Sequence, residues 1–254
     1  MTDEYVTVEV ADDHVATVRL CRPPNNFFSV GMIEALAAAF ESLDEDPRCR
    51  AVVLGARGKH FCAGADFSAP GDQSTAELYR AAVRLFRTET PVVAAVQGAA
   101  IGGGLGLALA ADFRVAAPEA RFSANFARLG FHHGFGLSVT LPSLVGQQRA
   151  AELLYTGRRI GGEDAAAIGL VDRLVPLEDL LPAAHELAAE IAGSAPLAVR
   201  SIRATLRGDL ADRVAAATDH EMAEQERLRH TPDFREGTRA MAERRAPNFT
   251  GATD

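Results

Sequence analysis

Two glycine-bearing stretches and a pair of histidines are where this chain could do chemistry. Gly98 and Gly102-Gly103-Gly104 separate a β-branched run, 92–96, from an apolar run, 105–111. The first run reads as a buried strand and the second as a buried helix. A strand, a glycine turn and a helix leave backbone N–H groups unpaired at the helix start. There the positive end of the helix dipole favours a developing negative charge, and glycine lets another group approach the backbone closely. Three glycines suit tight helix–strand packing equally well, so this stretch alone leaves both readings open. Upstream, a strand over 51–55 runs through a turn at 56–59 into Phe61-Cys-Ala-Gly-Ala-Asp66. Downstream, His132 and His133 precede Gly134 in a glycine-rich loop. Histidine titrates near neutral pH and serves as a general base.

The pair FCAGAD and AAIGGGLG, about forty residues apart in this order, resembles the enoyl-CoA hydratase/isomerase (crotonase) superfamily. The resemblance extends from Tyr5 to Phe249 and implies an α/β fold: a crotonase-like spiral of ββα units with a helical C-terminal oligomerisation subdomain. It implies a thioester carbonyl held in an oxyanion hole by one backbone N–H from each loop, here those of Ala65 and Gly103. Ala63, Gly64, Asp66 and Gly102 flank the two donors along the acyl-CoA site. The loop after the second strand and the C-terminal helix supply cations for CoA phosphates in this family, which points to Arg22, Arg244 and Arg245. As plain structure, Arg22 is a solvated residue beside a proline turn, and Arg244 and Arg245 suit the negative end of a helix dipole. The resemblance also implies a homotrimer or a dimer of trimers.

Hydration in this family uses two glutamates around one water, because paired carboxylates can split the roles of base and acid. The position three residues after Gly103 is Gly106, and the position four past Phe122 is Phe126. A third acidic position used by some members, eight beyond Phe126, is Gly134. All three carboxylates are missing. The sequence offers His132 or His133 as a substitute base, unless they are loop residues bonded to carbonyls. Asp66 suits a loop cap better than a base, and His60 reads as structural. Tyr79, twelve residues before Pro91, stands where a dehalogenase of the family has an active-site histidine, on an amphipathic helix where rim tyrosines are common. The reading is therefore an acyl-CoA thioester-binding protein that stabilises a thioester enolate, of lyase or isomerase type, in fatty-acid or related acyl-CoA metabolism. A non-catalytic acyl-CoA carrier, or a divergent isomerase, hydrolase or decarboxylase, are the alternatives.

The chain has 254 residues, 48% hydrophobic and 24% charged, which suits one sizeable core. Its net charge of −8 argues against nucleic acid or an anionic membrane as partner, so an anionic CoA ligand needs a local basic patch. Three cysteines without a CxxC suggest neither a disulfide framework nor a zinc site. No metal and no cofactor beyond the CoA thioester is expected. No apolar run spans a membrane and the first residues do not read as a signal peptide, so the expected location is cytoplasmic. G-x-G-x-x-G, P-loop and G-x-S-x-G signatures are absent. The pattern predicts a hairpin over 5–20, helices over 32–43 and 76–87, and a loop over 68–74. It then predicts a strand over 113–116 and short helices over 137–144 and 149–156. Helices over 177–193, 196–208 and 210–229 and one opening at Pro232 complete it. This divides the chain into a core, 1–195, and a C-terminal helical subdomain, 196–254, within one structural domain. Between six and eight core strands are expected.

Overall fold

The computed structural model describes residues 5–65 and 75–253. Asp66 and the loop expected over 68–74 lie outside the described residues. β1 (Val6–Val10) and β2 (Val15–Leu20) form the antiparallel hairpin that alternation predicts. β3 (Ala51–Ala56), β4 (Val92–Val96), β6 (Phe113–Ala116) and β9 (Arg173–Leu174) then add in parallel, giving the order β1-β2-β3-β4-β6-β9. A second sheet, β5-β7-β8, joins Ala99–Ile101, Arg121–Ser123 and Ile160–Gly161. The described residues thus hold nine strands, three of them in a sheet built from segments of two or three residues.

Buried parallel strands carry apolar side chains on both faces, and here each face has its own cover. Val52, Leu54, Ala94 and Val96 face the main core. That core also takes α1 (Val30–Glu45), α2 (Thr75–Arg87) and α3 (Gly103–Ala110). Val53, Val93, Ala95 and Val115 face α7 (Leu180–Ala192) through Leu180, Ala184, Leu187 and Ala188. Ser29 caps α1 by accepting from the Met32 amide. α4 (Leu137–Val145), α5 (Gln147–Thr156) and α6 (Gly162–Ala167) connect the second sheet to β9.

The C-terminal helices are α8 (Pro196–Arg207), α9 (Leu210–Arg229) and α10 (Pro232–Ala242). α8 is pinned by charge rather than apolar burial. Arg203 and Arg207 both donate to Asp112, at 2.9–3.0 Å, just after α3. Asp112 also accepts from the Val92 amide at 2.8 Å, so one carboxylate joins the sheet, α3 and α8. Among the described residues no helix is long and apolar enough to cross a membrane.

Candidate active site

The loop after β3 is stitched between two neighbours. Cys62 donates to Ala99 O (2.9 Å) and accepts from the Ile101 amide (3.1 Å), which places it beside β5. On its other side Ala63 donates to Asn25 O (3.0 Å), and the Phe28 amide donates to Gly64 O (3.1 Å). Gly64 has a φ of +90°, a conformation that disfavours a side chain, and a Cβ there would meet Ile101 O at 2.9 Å. Ala65 bridges Phe28 in parallel. The Phe28 bond of that bridge falls on Gly64 and not on Ala65, so the Ala65 N–H points away from Phe28.

That side holds the start of α3. Gly102 (φ +57°) turns the chain out of β5 and donates to Ser123 O at 2.8 Å, which leaves Gly103 as the first helical residue. A Cβ on Gly103 would strike the Phe28 ring at 2.3 Å, and one on Gly104 would strike Cys62 O at 2.2 Å. The glycines therefore do both things the sequence left open: they allow tight packing, and that packing brings the helix N-terminus against the first loop. Neither the Ala65 nor the Gly103 amide donates to a described backbone carbonyl. Both residues line one cavity of about 1010 Å³, together with Ala63, Gly64, Gly102, Tyr79 and Phe126.

The cavity contains no Asp or Glu among its described lining residues, but it has five permanent cations: Lys59, Arg121, Arg159, Arg229 and Arg239. Lys59, His60 and Arg121 also line an adjoining cavity of about 630 Å³. Sequence reasoning named other cations, Arg22, Arg244 and Arg245, which lie outside this lining. Arg22 donates to Phe27 O (3.2 Å) and its guanidinium lies over the Tyr5 ring at 5.7 Å. Arg245 pairs with Glu236 and Glu243, and the exposed Arg244 likewise does not line the cavity. The five cavity cations come from five separate segments, and no local pattern links them.

Neither His132 nor His133 is among the lining residues of the cavity. Nδ1 of His132 bonds to His133 O (2.8 Å), and the two rings stack at 4.1 Å with His220 edge-on to His132 at 5.8 Å. His133 Nε2 is 2.8 Å from Ser138 Oγ. Ser138 Oγ donates to Glu221 at 2.6 Å, and Glu221 also accepts from the Gly136 and Ser138 amides. Burial pushes the His133 pKa down to about 4, with His132 and His220 adding repulsion. Burial pushes the Glu221 carboxyl upward against those three hydrogen bonds. This cluster fastens the 131–136 loop to α9. His60 lines both cavities, and its Nδ1 accepts from the Ala99 amide at 3.1 Å.

Gly106 is not the open space its type suggests. Phe135 fills it: a Cβ at 106 would lie 2.6 Å from the Phe135 Cβ. Phe126 lines the cavity and packs on Phe131 at 5.5 Å. Tyr79, 7% exposed, reaches over from α2. Its hydroxyl sits 1.7 Å from where a Cβ of residue 134 would stand. It donates to Gln225 Oε1 at 3.0 Å, and Gln225 Nε2 donates to His132 O at 2.9 Å. Burial, with Glu221 nearby, raises the phenol pKa further, so the hydroxyl is neutral at pH 7.

Residues 11–252 match the enoyl-CoA hydratase/isomerase family profile. YngF of Bacillus subtilis is 36% identical over 257 residues, covering 98% of this chain and 99% of its own. The carnitinyl-CoA dehydratase of Salmonella typhi is 34% identical over 248 residues, covering 93% and 95%. Among solved structures, the enoyl-CoA hydratase/isomerase of Pseudoalteromonas atlantica T6c superposes with a TM-score of 0.85 at 31% identity, over 96% of this chain and 99% of that one. With two glycine loops meeting over one cavity and relatives matched over nearly their full lengths, the chain belongs to the enoyl-CoA hydratase/isomerase family.

Proposed function

We propose that this protein binds an acyl-CoA thioester and stabilises its enolate through the Ala65 and Gly103 amides. The observation that carries this reading is the pairing of those two amides on one cavity wall, without described backbone acceptors and at the positive end of α3. A thioester oxygen accepting from both gains negative charge as Cα becomes carbanionic, and each such donor is worth about 2.7–4 kcal/mol in a transition state. Lys59 and Arg121 stand at the junction of the two cavities and suit CoA phosphates. Leu197, Ile202 and Leu206 of α8 are 59–82% exposed, and a homotrimer or dimer of trimers would cover such a face. Light scattering reads that state directly, and a monomer would refute it.

Infrared spectroscopy of ¹³C-carbonyl butyryl-CoA tests the oxyanion assignment without presuming a reaction. The carbonyl band is expected to move to lower frequency on binding. Ala65→Pro removes one donor and keeps the Phe28–Gly64 bond, so it should abolish most of that shift. A bound carbonyl at the free frequency would overturn the assignment. Hydration of crotonyl-CoA is expected to be slow or undetectable, because neither family carboxylate is present. Loss of general base help costs about 10²–10⁴-fold. The same absence supports a second reading, a non-catalytic carrier, which predicts binding and a shifted carbonyl with no turnover on any thioester.

A further inference from the structure

A cavity that polarises a thioester carbonyl still needs an electron pair to enter the enolate. Usually a base supplies it by removing the Cα proton, and the described lining residues include no carboxylate. What they do include is a proton donor, the Tyr79 hydroxyl, held in the space of a residue-134 side chain. They also include a cation with an unused donor. Arg229 Nε is buried without a hydrogen-bond partner. Its ion pair with Glu226 is long, 4.0 Å, while Nη2 donates to Thr75 Oγ1 at 3.2 Å. Arg229 and Tyr79 line the same cavity, from α9 and α2, which pack on each other.

Resting on the acyl-CoA reading above, we propose that the substrate is a 2-carboxyacyl thioester of malonyl type, recognised by Arg229, and that Tyr79 protonates the enolate left when its carboxylate departs. The bond between Cα and the carboxylate breaks, carbon dioxide leaves, and the bonding pair enters the thioester enolate held by Ala65 and Gly103. The Tyr79 O–H then gives its proton to Cα, and the phenolate recovers one from solvent. Each turnover consumes one proton and needs no oxidant or metal. A neutral phenol suits this role, since the step calls for an acid and no base.

The test uses malonyl-CoA and 2-methylmalonyl-CoA in deuterium oxide, with butyryl-CoA binding measured alongside. The parent should release carbon dioxide and place one deuterium at Cα, as a single enantiomer from the methylated substrate. Tyr79→Phe should bind butyryl-CoA normally yet either turn over roughly 10²–10⁴-fold more slowly or yield racemic product. Gly134→Ala, whose methyl displaces the hydroxyl, should do the same if Tyr79→Phe fails to fold. Arg229→Gln should raise KM for malonyl-CoA roughly ten-fold or more beyond any weakening of butyryl-CoA binding. A parent that binds butyryl-CoA but releases no carbon dioxide overturns this inference alone. So does a Tyr79→Phe enzyme with parental rate and stereochemistry, or an Arg229→Gln protein weakened equally for both thioesters. A parent that binds no acyl-CoA overturns the underlying reading too.

Discussion

Gly106 carries two meanings at once, one readable from its type and one only from its neighbours. It supplies no carboxylate, which the sequence states outright. It also holds the seat of Phe135, whose backbone adopts a φ of +63°, unfavourable for a bulky residue. The ring thus pays in backbone strain for a place that glycine keeps free. Gly106→Ala is expected to destabilise by about 1–3 kcal/mol through overpacking, with Tm falling several degrees, and Phe135→Leu in that background should restore part of it. An unchanged Tm for Gly106→Ala would mean the ring yields freely. Restoring the family glutamate at 106 should fail for the same reason. The meeting of the two loops that carry Ala65 and Gly103 was legible because backbone position follows motif spacing. Phe135 was not, because what fills a glycine's space depends on a distant loop's conformation.

At the scale of elements, the longer helices and the strands up to β6 in the main sheet were legible from periodicity, with bounds within about three residues, whereas β5, β7 and β8, of two or three residues each, are too short to show a period. The helix over 103–110 begins two residues earlier than its apolar run, because Gly103 and Gly104 must be helical to bring the amide to the loop. The 131–136 loop was left open between two readings, since nothing local tells which face of a glycine-rich loop meets α9. Its histidines turn to Ser138, Glu221 and His220 instead of the cavity. This gives the loop a signed pH response. The His133 pKa is about 4 when folded and about 6.5 when unfolded. The unfolded chain therefore binds the extra proton between those values, and stability falls as pH drops from 6.5 towards 4. The full effect is on the order of 3 kcal/mol, less for the 21% of the side chain that water reaches. Glu221, shifted upward, works in the opposite sense and is common to parent and variant. Urea melts of the parent and of His133→Asn at pH 7 and pH 4 isolate the histidine. The parent should lose more stability than the variant, and parallel losses would refute the assignment.

Over the whole molecule, charge is distributed against the average. The net charge is −8, yet the cavity's described lining holds five permanent cations and no carboxylate. Such a cleft focuses field and draws an anion through a surface that otherwise repels it. The sequence could state that a basic patch was needed but not where it lay, since residues 59, 121, 159, 229 and 239 converge only when both sheets and the C-terminal helices are in place. Binding of an acyl-CoA should accordingly weaken as salt rises, because the Debye length falls from about 10 Å at 0.1 M to about 3 Å at 1 M. Lys59→Gln and Arg121→Gln should each weaken butyryl-CoA binding roughly ten-fold at low salt, the equivalent of about 1.4 kcal/mol, and flatten its salt dependence. Arg22→Gln, whose guanidinium is engaged with Phe27 and Tyr5, should leave both unchanged. Calorimetry across a salt series checks this. Salt-independent binding, or an Arg22 variant weakened as much as the Lys59 variant, would move the phosphate site out of this cavity.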